Sequence, residues 1–584
     1  MHVIATAGHV DHGKSTLIQA LTGTDPDRWQ EEKDRGLTID LGFAHTTLPS
    51  GAGLSFIDVP GHVRFLRNML AGVGAIDACM FVVAATEGWK PQSEEHLRIL
   101  DLLGIRHGLI VLTKVGLVDM EWRELALMDV EEHVAGTFLE GARIVPVDAP
   151  SGVGVNELRE ALDNLVARTP VAVDRRRPRL WIDRVFAAKG SGTVVTGTLT
   201  GGELSVDKDM AVIGNGKSHA VRVRAIQSHG HKEVGIGPGN RVAVNLNGVS
   251  HEDVQRGDAL VNPSQWHRCA RFDARLDVLG AVDHEVSRRG AFALAIGSGE
   301  FPVKLRVLGD RIPGGSSGFV RIHLPLELPL LPGDRGILRD YGREETIGGI
   351  EVLDVDPRRS ASGNVPDATV ERLVTDRHWV DRDLLFRLSP SPWTGRVVDR
   401  WAVSEVAYEH ALQSIRDQTE TAGRLGLDPA LLNEHERAIL PDLREQGIAL
   451  RDGRVRKGAV VDPLADHPYL GALIRAPFQP PDANDVDKSE LRELVRRKLV
   501  VVADGIHFAP AALERAATIT AQLFVEHPDG LTVAQIRDAL GTSRKYILPI
   551  VGWFDANGIT RRRGDLRIAG PRLPSFPAPN PTRT

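Results

Sequence analysis

The chain has 584 residues, 42% of them hydrophobic and 25% charged, with a formal net charge of −6. That length calls for several domains, and the acidic balance excludes a uniformly basic nucleic-acid binder, so any RNA-facing surface has to be a local patch. Two cysteines, Cys79 and Cys269, exclude a disulfide framework, no Cys/His cluster has the spacing of a zinc site, and no apolar run reaches the about 18 residues of a membrane span.

An apolar run at residues 3–7 begins so early that no secretory signal is expected, and a cytoplasmic location with it. Directly after it, Gly8-His9-Val10-Asp11-His12-Gly13-Lys14-Ser15 fits G-x-x-x-x-G-K-[ST]. Glycines let the backbone N–H groups curl closely around a phosphate, a lysine reaches the β- and γ-phosphates, and the serine hydroxyl takes one place on Mg²⁺. Thr16 opens a helical run to residue 21, whose positive N-terminal end faces the same phosphates.

The polar segment Asp34-Arg35-Gly36-Leu37-Thr38-Ile39-Asp40 has the character of a loop that orders on a γ-phosphate. Thr38 is the candidate for Mg²⁺ and the γ-phosphate. The run at residues 54–58 reads as a buried strand ending in Asp58, placed to hold Mg²⁺ through a water. Gly61 offers an amide to the γ-phosphate, and His62 stands where it can orient an attacking water. Together these make a nucleotide switch with GTP/GDP and Mg²⁺ as its ligands.

GHVDHGKS, DRGLTID and DVPGH resemble the translational GTPase family that contains elongation factor Tu. The stretches at residues 22–28 and 31–44 resemble one branch of it, the selenocysteine-specific elongation factors of SelB type. The resemblance runs over nearly the whole chain, strongest in residues 1–120, 180–260 and 520–570. It implies ribosome-stimulated GTP hydrolysis. It further implies delivery of selenocysteinyl-tRNA to the ribosome at UGA codons marked by an mRNA hairpin, the SECIS element. Elongation factor Tu itself would stop after the second barrel.

One motif departs from that family. After the strand-like residues 108–112 the family expects a base-reading N/T-K-x-D, and this chain has Thr113-Lys114-Val115-Gly116. The lysine that stacks over the base is present, but the carboxylate that accepts from guanine N1 and N2 is not. Asp119, three residues on, and Asp148, in the segment Val147-Asp148-Ala149 where the family usually carries Ser-Ala, are both candidates to replace it.

The fold expected is multidomain: an α/β P-loop GTPase domain, two β-barrel domains and C-terminal winged-helix (α+β) repeats. The boundaries expected are 1–172 for the GTP-binding domain, 178–263 for the second domain, 266–357 for the third, 365–515 for winged-helix-like segments, 516–570 for the last winged helix and 571–584 for a disordered tail. Alternation of strands and helices marks the first region. Arg175, Arg176 and Arg177 lie in a charged linker read as a solvated hinge. Short β-branched runs between glycine turns mark the barrels. In the first barrel, residues 183–186 read as the opening strand, and Arg241 begins a later one. The family resemblance places Asp183, Arg184 and Arg241 in the aminoacyl pocket. A selenol is anionic at neutral pH where a serine hydroxyl is not, so arginines that keep their charge suit that role.

Near the C-terminus, Thr532 and Gln535 form a capping box that opens a helix to Leu540. A second helix after Gly541 puts Ile547, Ile550, Val551 and Phe554 on one face. Arg561-Arg562-Arg563, a Gly564-Asp565 turn and Leu566-Arg567-Ile568 complete a helix-turn-helix with a wing. Its basic residues, Arg544, Lys545, Arg561, Arg562 and Arg563, are the candidates for an RNA hairpin. An RNA reader grips backbone and splayed bases, because the major groove of RNA is closed to a helix. A monomer with no DNA and no membrane partner is expected. Two alternatives stand beside this reading: a GTPase subunit of sulfate-adenylyltransferase type, and a non-hydrolysing RNA-binding adaptor with a degenerate base site.

Overall fold

The computed structural model describes residues 1–26, 40–60, 76–188, 192–214, 216–451, 453–458 and 464–575. The chain divides into two compact units, Met1–Ser404 and Glu405–Thr584.

The first unit starts with a sheet in the order β2 (Gly42–Thr47), β3 (Gly53–Asp58), β1 (His2–Ala7), β4 (Ala78–Ala84), β5 (Gly108–Thr113), β6 (Ile144–Pro146). All neighbours are parallel except β2 with β3. β1 and β4 are buried at every position because helices cover both faces of the sheet, which is why they read as unbroken apolar runs. Leu17 and Ile18 of α1 (Lys14–Thr22) and Leu158 and Leu162 of helix Val155–Arg168 pack on one face. Leu97 and Leu100 of helix Pro91–Leu102 and Val130 of helix Met120–Val134 pack on the other. Cys79 sits fully inside β4, and burial pushes its thiol far above the usual range. The carboxyl ends of the parallel strands β1, β3, β5 and β6 share one edge of the sheet, the edge at which open α/β sheets bind ligands.

Next comes an antiparallel barrel. Strands Asp209–Gly214, Ala259–Val261, Arg179–Trp181, Gly192–Thr200, Asn240–Asn247 and Lys217–Ser228 pair in that order, and the last pairs back to the first. Its opening strand is Arg179–Trp181, not the expected run from 183, because Leu180 pairs with both Leu199 and Leu260 and closes the ring. Asp183 lies in the connection, and Arg184 begins the strand Arg184–Ala188, which pairs outside the ring with Gly192–Thr200. A second antiparallel sheet of seven strands follows, centred on Arg268–Val278 between Ser317–Pro329 and Glu345–Asp354.

Two expectations about connections are corrected. Arg177 is buried rather than solvated: its guanidinium lies 4.0 Å over the Phe386 ring and donates to the carbonyls of Phe386 and Ser389. Arg177 thus seals the end of a linker whose Arg175 and Arg176 are exposed, because a flat cation can cover an aromatic face while its N–H groups reach carbonyls. The winged-helix-like segments expected over 365–515 fall in two different units. Helices Val370–Arg377 and Arg382–Leu388 belong to the first unit, where Val370, Val374 and Leu388 share one core with Phe272, Leu338 and Trp181. Their apolar faces are satisfied by the barrel before any later helix is reached.

In the second unit, helices Val533–Leu540 and Arg544–Ala556 precede a hairpin of Thr560–Arg563 with Leu566–Ala569. The capping box forms with both of its bonds, and Gly541 takes the left-handed conformation that ends the first helix. Ile547, Ile550, Val551 and Phe554 are buried as the helical spacing requires. The core reaches back past the expected boundary at 516: Phe508 and Leu513 pack with Phe554, and helix Pro510–Glu526 starts before it. The tail expected to be disordered from 571 is ordered at its start. The Arg572 N–H donates to the Gly558 carbonyl, and Leu573 packs on the same core. Residues 576–584 lie outside the described residues.

Candidate functional site

At the end of β1 the chain turns through Gly8, His9, Val10, Asp11, His12 and Gly13 into α1. Gly8 has φ 129, and a Cβ there would stand 2.1 Å from the Val82 carbonyl oxygen, so only glycine lets the loop lie against β4. Gly13 has φ 81 and sets the first turn of α1 at the mouth of the cradle. Lys14 is 3% exposed, and its Nζ donates to the carbonyls of Gly8 at 3.1 Å and His9 at 2.7 Å. The ammonium thus spans the cradle from below. Thr16 is exposed on α1.

Two side chains from helix Pro91–Leu102 brace the loop. The Gly8 N–H donates to His96 Nδ1 at 3.1 Å, and the Val10 N–H to Gln92 Oε1 at 3.4 Å. Burial lowers His96 to about 3, with the Lys14 charge adding to it, so the imidazole stays neutral and keeps the lone pair that Gly8 needs. His12 is lowered to about 4, again by burial first, and its Nδ1 donates to the Val82 carbonyl at 3.1 Å. His96 was not legible in the sequence: it is 88 residues from Gly8, and a histidine within a helix gives no local sign of a partner.

Asp58 ends β3 with no exposed surface. Thr6 Oγ1 donates to its Oδ1 at 2.7 Å, and Ser15 Oγ to its Oδ2 at 2.7 Å, while the Val59 N–H donates to Thr6. A hydroxyl and a carboxylate held side by side next to the phosphate cradle are the hard oxygen donors that Mg²⁺ takes, so these residues fit that ion. Among the described residues no group of three or more His, Cys, Asp or Glu makes a separate metal cluster. Thr38, Gly61 and His62 lie outside the described residues.

On the base side, Thr113 Oγ1 donates to the His12 carbonyl at 2.7 Å and ties β5 to the phosphate loop. Lys114 adopts a left-handed backbone, φ 58, and its ammonium pairs with Glu87 at 3.1 Å. Asp119 is occupied elsewhere: its carboxylate caps helix Met120–Val134 by accepting from the Trp122 N–H at 2.8 Å. Asp148, past the end of β6, lies beside Gly116.

Around the first barrel, the structure brings Asp183, Arg184 and Arg241 together. Arg241 makes a two-pronged bond to Asp183, at 2.6 and 2.9 Å, and Thr196 Oγ1 donates to the same carboxylate at 2.8 Å. Both guanidiniums lie over Phe43 of β2, Arg241 at 3.3 Å and Arg184 at 4.5 Å from the ring centre. Arg184 also donates to the Leu41 carbonyl and stands 3.6 Å from Asp40, which meets Arg256 at 3.4 Å. Arg184, Arg241 and Arg256 thus gather around the carboxylates of Asp40 and Asp183. A cleft lined by Phe43, Ser55, Thr196, Gln227, His229 and Arg241 opens beside it. Phe43 and Arg256 carried no sequence signal for this cluster.

The other candidates sit in the second unit. Arg544 and Lys545 are exposed in the first turn of helix Arg544–Ala556, and Lys545 lies 3.5 Å from Asp482. Arg561, Arg562 and Arg563 are exposed along the wing. The wing is fixed to the helix through Asp555, which accepts from Thr560 at 2.6 Å and Arg567 at 3.2 Å. Among the described residues no helix is long and apolar enough to cross a membrane.

Residues 1–168 match the family described as "Elongation factor Tu GTP binding domain", and residues 522–569 match "Elongation factor SelB, winged helix". The selenocysteine-specific elongation factor of Desulfomicrobium baculatum is 41% identical over 354 residues, which is 60% of this chain and 55% of that protein's length. That of Escherichia coli (strain K12) is 30% identical over an alignment covering 96% of this chain and 98% of that protein. A crystal structure of a bacterial selenocysteine-specific elongation factor superposes with a TM-score of 0.67 at 26% identity, covering 97% and 99% of the two chains. A match to a full-length relative, with the switch domain at one end and the winged helix at the other, settles the family: this chain belongs to the selenocysteine-specific elongation factors, which are translational GTPases.

Proposed function

We propose that this chain, a cytoplasmic monomer, delivers selenocysteinyl-tRNA to the ribosome at UGA codons marked by a SECIS hairpin. The observation that carries the reading is the cluster of Asp183, Arg184 and Arg241 around Phe43, beside the cleft. A selenolate entering the cleft meets fixed guanidinium charge. A seryl hydroxyl there carries no charge for the guanidiniums to attract. Family membership over nearly the whole length supports this reading over a sulfate-adenylyltransferase-type subunit.

In the proposed cycle, residues 8–16 enclose the phosphates with their backbone, Gly8 and Val10 keeping their N–H bonds to His96 and Gln92, and Lys14 exchanges its two carbonyl acceptors for β- and γ-phosphate oxygens. Ser15, Thr38 and, through a water, Asp58 would hold Mg²⁺, which would supply charge neutralisation to the phosphates. Gly61 donates its amide to the γ-phosphate. His62 orients the attacking water once the ribosome is engaged. Arg544, Lys545, Arg561, Arg562 and Arg563 grip the mRNA hairpin, which raises the local concentration of the complex at the right codon.

The test is binding of selenocysteinyl-tRNA against seryl-tRNA on one tRNA body, with GTP or GDP loaded. Selenocysteinyl-tRNA should bind at least about 100-fold more tightly with GTP, on the scale of a buried polar mismatch. Equal affinity for the two aminoacyl groups, or indifference to the nucleotide, would remove the proposal.

A further inference from the structure

We propose that the guanine-reading carboxylate has moved between loops in this chain: Asp148, beyond β6, supplies it, and Gly116 is the space it occupies. The inference rests on the guanine-nucleotide reading of the first domain and deepens it.

At Gly116, a Cβ would stand 3.0 Å from both Cγ and Oδ2 of Asp148 and 3.4 Å from Oδ1. The carboxylate of one loop thus fills the place where a side chain of the other would begin. A residue larger than glycine at 116 would have to push Asp148 away. Asp148 is not loosely placed. Its N–H donates to the Val153 carbonyl at 2.9 Å, and Ser151 Oγ donates to Oδ2. The other parts of a base site lead into the same loop. Lys114 is two residues from Gly116, and Thr113 ties that strand end to the phosphate loop through His12.

Chemistry assigns the carboxylate its ligand. Guanine presents two donors on one edge, N1–H and the N2 amino group, and two carboxylate oxygens accept both. Adenine presents a bare N1 lone pair at that edge and is repelled. Xanthine carries a carbonyl at position 2, which a carboxylate repels but which would accept a hydrogen bond from an amide N–H. Exchanging Asp148 for asparagine therefore predicts an inversion of preference, not merely a loss.

The experiment uses the full chain and equilibrium binding of GTP, ITP, XTP and ATP. Asp148→Asn should weaken GTP by about 100-fold and improve XTP by a similar factor. Asp148→Ala should bring GTP and ITP, which lacks the N2 amino group, to near-equal affinity. Gly116→Asp alone should also weaken GTP, because two carboxylates then contend for one place. The double variant Gly116→Asp/Asp148→Ser should recover GTP binding to within about tenfold of the unaltered chain. Gained XTP binding and the recovery in the double variant cannot come from misfolding. Unchanged GTP, ITP and XTP affinities in Asp148→Asn would overturn the inference while leaving the guanine reading intact. Failure of the unaltered chain to prefer GTP over ATP would overturn both.

Discussion

His12, Lys14 and Asp58 around the phosphate loop are buried, whereas Arg544, Lys545, Arg561, Arg562 and Arg563 in the terminal winged helix are exposed. Both regions are candidates for binding phosphates, and they are built on different physics. The loop offers few charges, enclosed and held by backbone bonds, so each contact is worth much and geometry decides what enters. The winged helix offers many charges in water, each worth little and screened by salt, so affinity accumulates by number. A switch has to be specific for one phosphate, and a hairpin grip has to cover many. The cluster of Asp183, Arg184 and Arg241 lies between these regimes, with Asp183 buried and Arg241 nearly so.

The sharpest way to break that contrast is Lys14→Ala. GTP affinity should fall by at least about 1,000-fold, on the scale of lost charge-assisted bonds to phosphate, while hairpin binding by the same chain stays unchanged. A parallel loss of hairpin binding would show that the two regions are not independent. Asp183→Ala comes next. It leaves Arg241 enclosed without its partner and should destabilise the protein by about 3 kcal/mol in denaturant unfolding, as breaking a buried pair does. A cost near zero would place this cluster with the exposed charges instead.

Replacing Arg561, Arg562 and Arg563 together by alanine should weaken a SECIS hairpin by roughly 10- to 100-fold. It should also flatten the slope of log affinity against log salt by about 2 to 3. An unchanged slope would mean that these arginines touch no phosphate.

The smallest effect near neutrality is a pH dependence confined to the buried end. His12 and His96 have folded-state values of about 4 and about 3, below the unfolded value of 6.5. Their contribution to stability is therefore complete above pH 6.5. It is lost as pH falls from 6.5 toward 4, where the unfolded chain binds protons that the folded chain refuses. The loss is about 1.4 kcal/mol per pH unit for each group at most. His96→Gln, whose side-chain oxygen can still accept from Gly8, should remove one of the two contributions to that slope. A stability flat from pH 7 to 5 would contradict it.

Much of this was legible because the signal is local. The phosphate loop, the unbroken apolar strands, the capping box at Thr532 and the buried stripe from Ile547 to Phe554 are all set within one or two turns of backbone, by glycine φ values and by periodicity. Other features depend on partners far along the chain. Arg177 looks like a hinge charge until Phe386, 209 residues away, supplies a ring and a carbonyl. The break between helices Arg382–Leu388 and Glu405–Thr421 follows from which core accepts each apolar face.

The sequence by itself determined the phosphate cradle, the order of strand-rich and helix-rich regions and the wing with its arginines, because each is written in neighbouring residues. Only the tertiary structure decided that His96 supports Gly8, that Phe43 lies beneath Arg184 and Arg241, and that Asp148 stands in the space Gly116 leaves open. Such contacts join loops and strands whose separation in the chain carries no period and no motif, and they exist only once the sheets have closed.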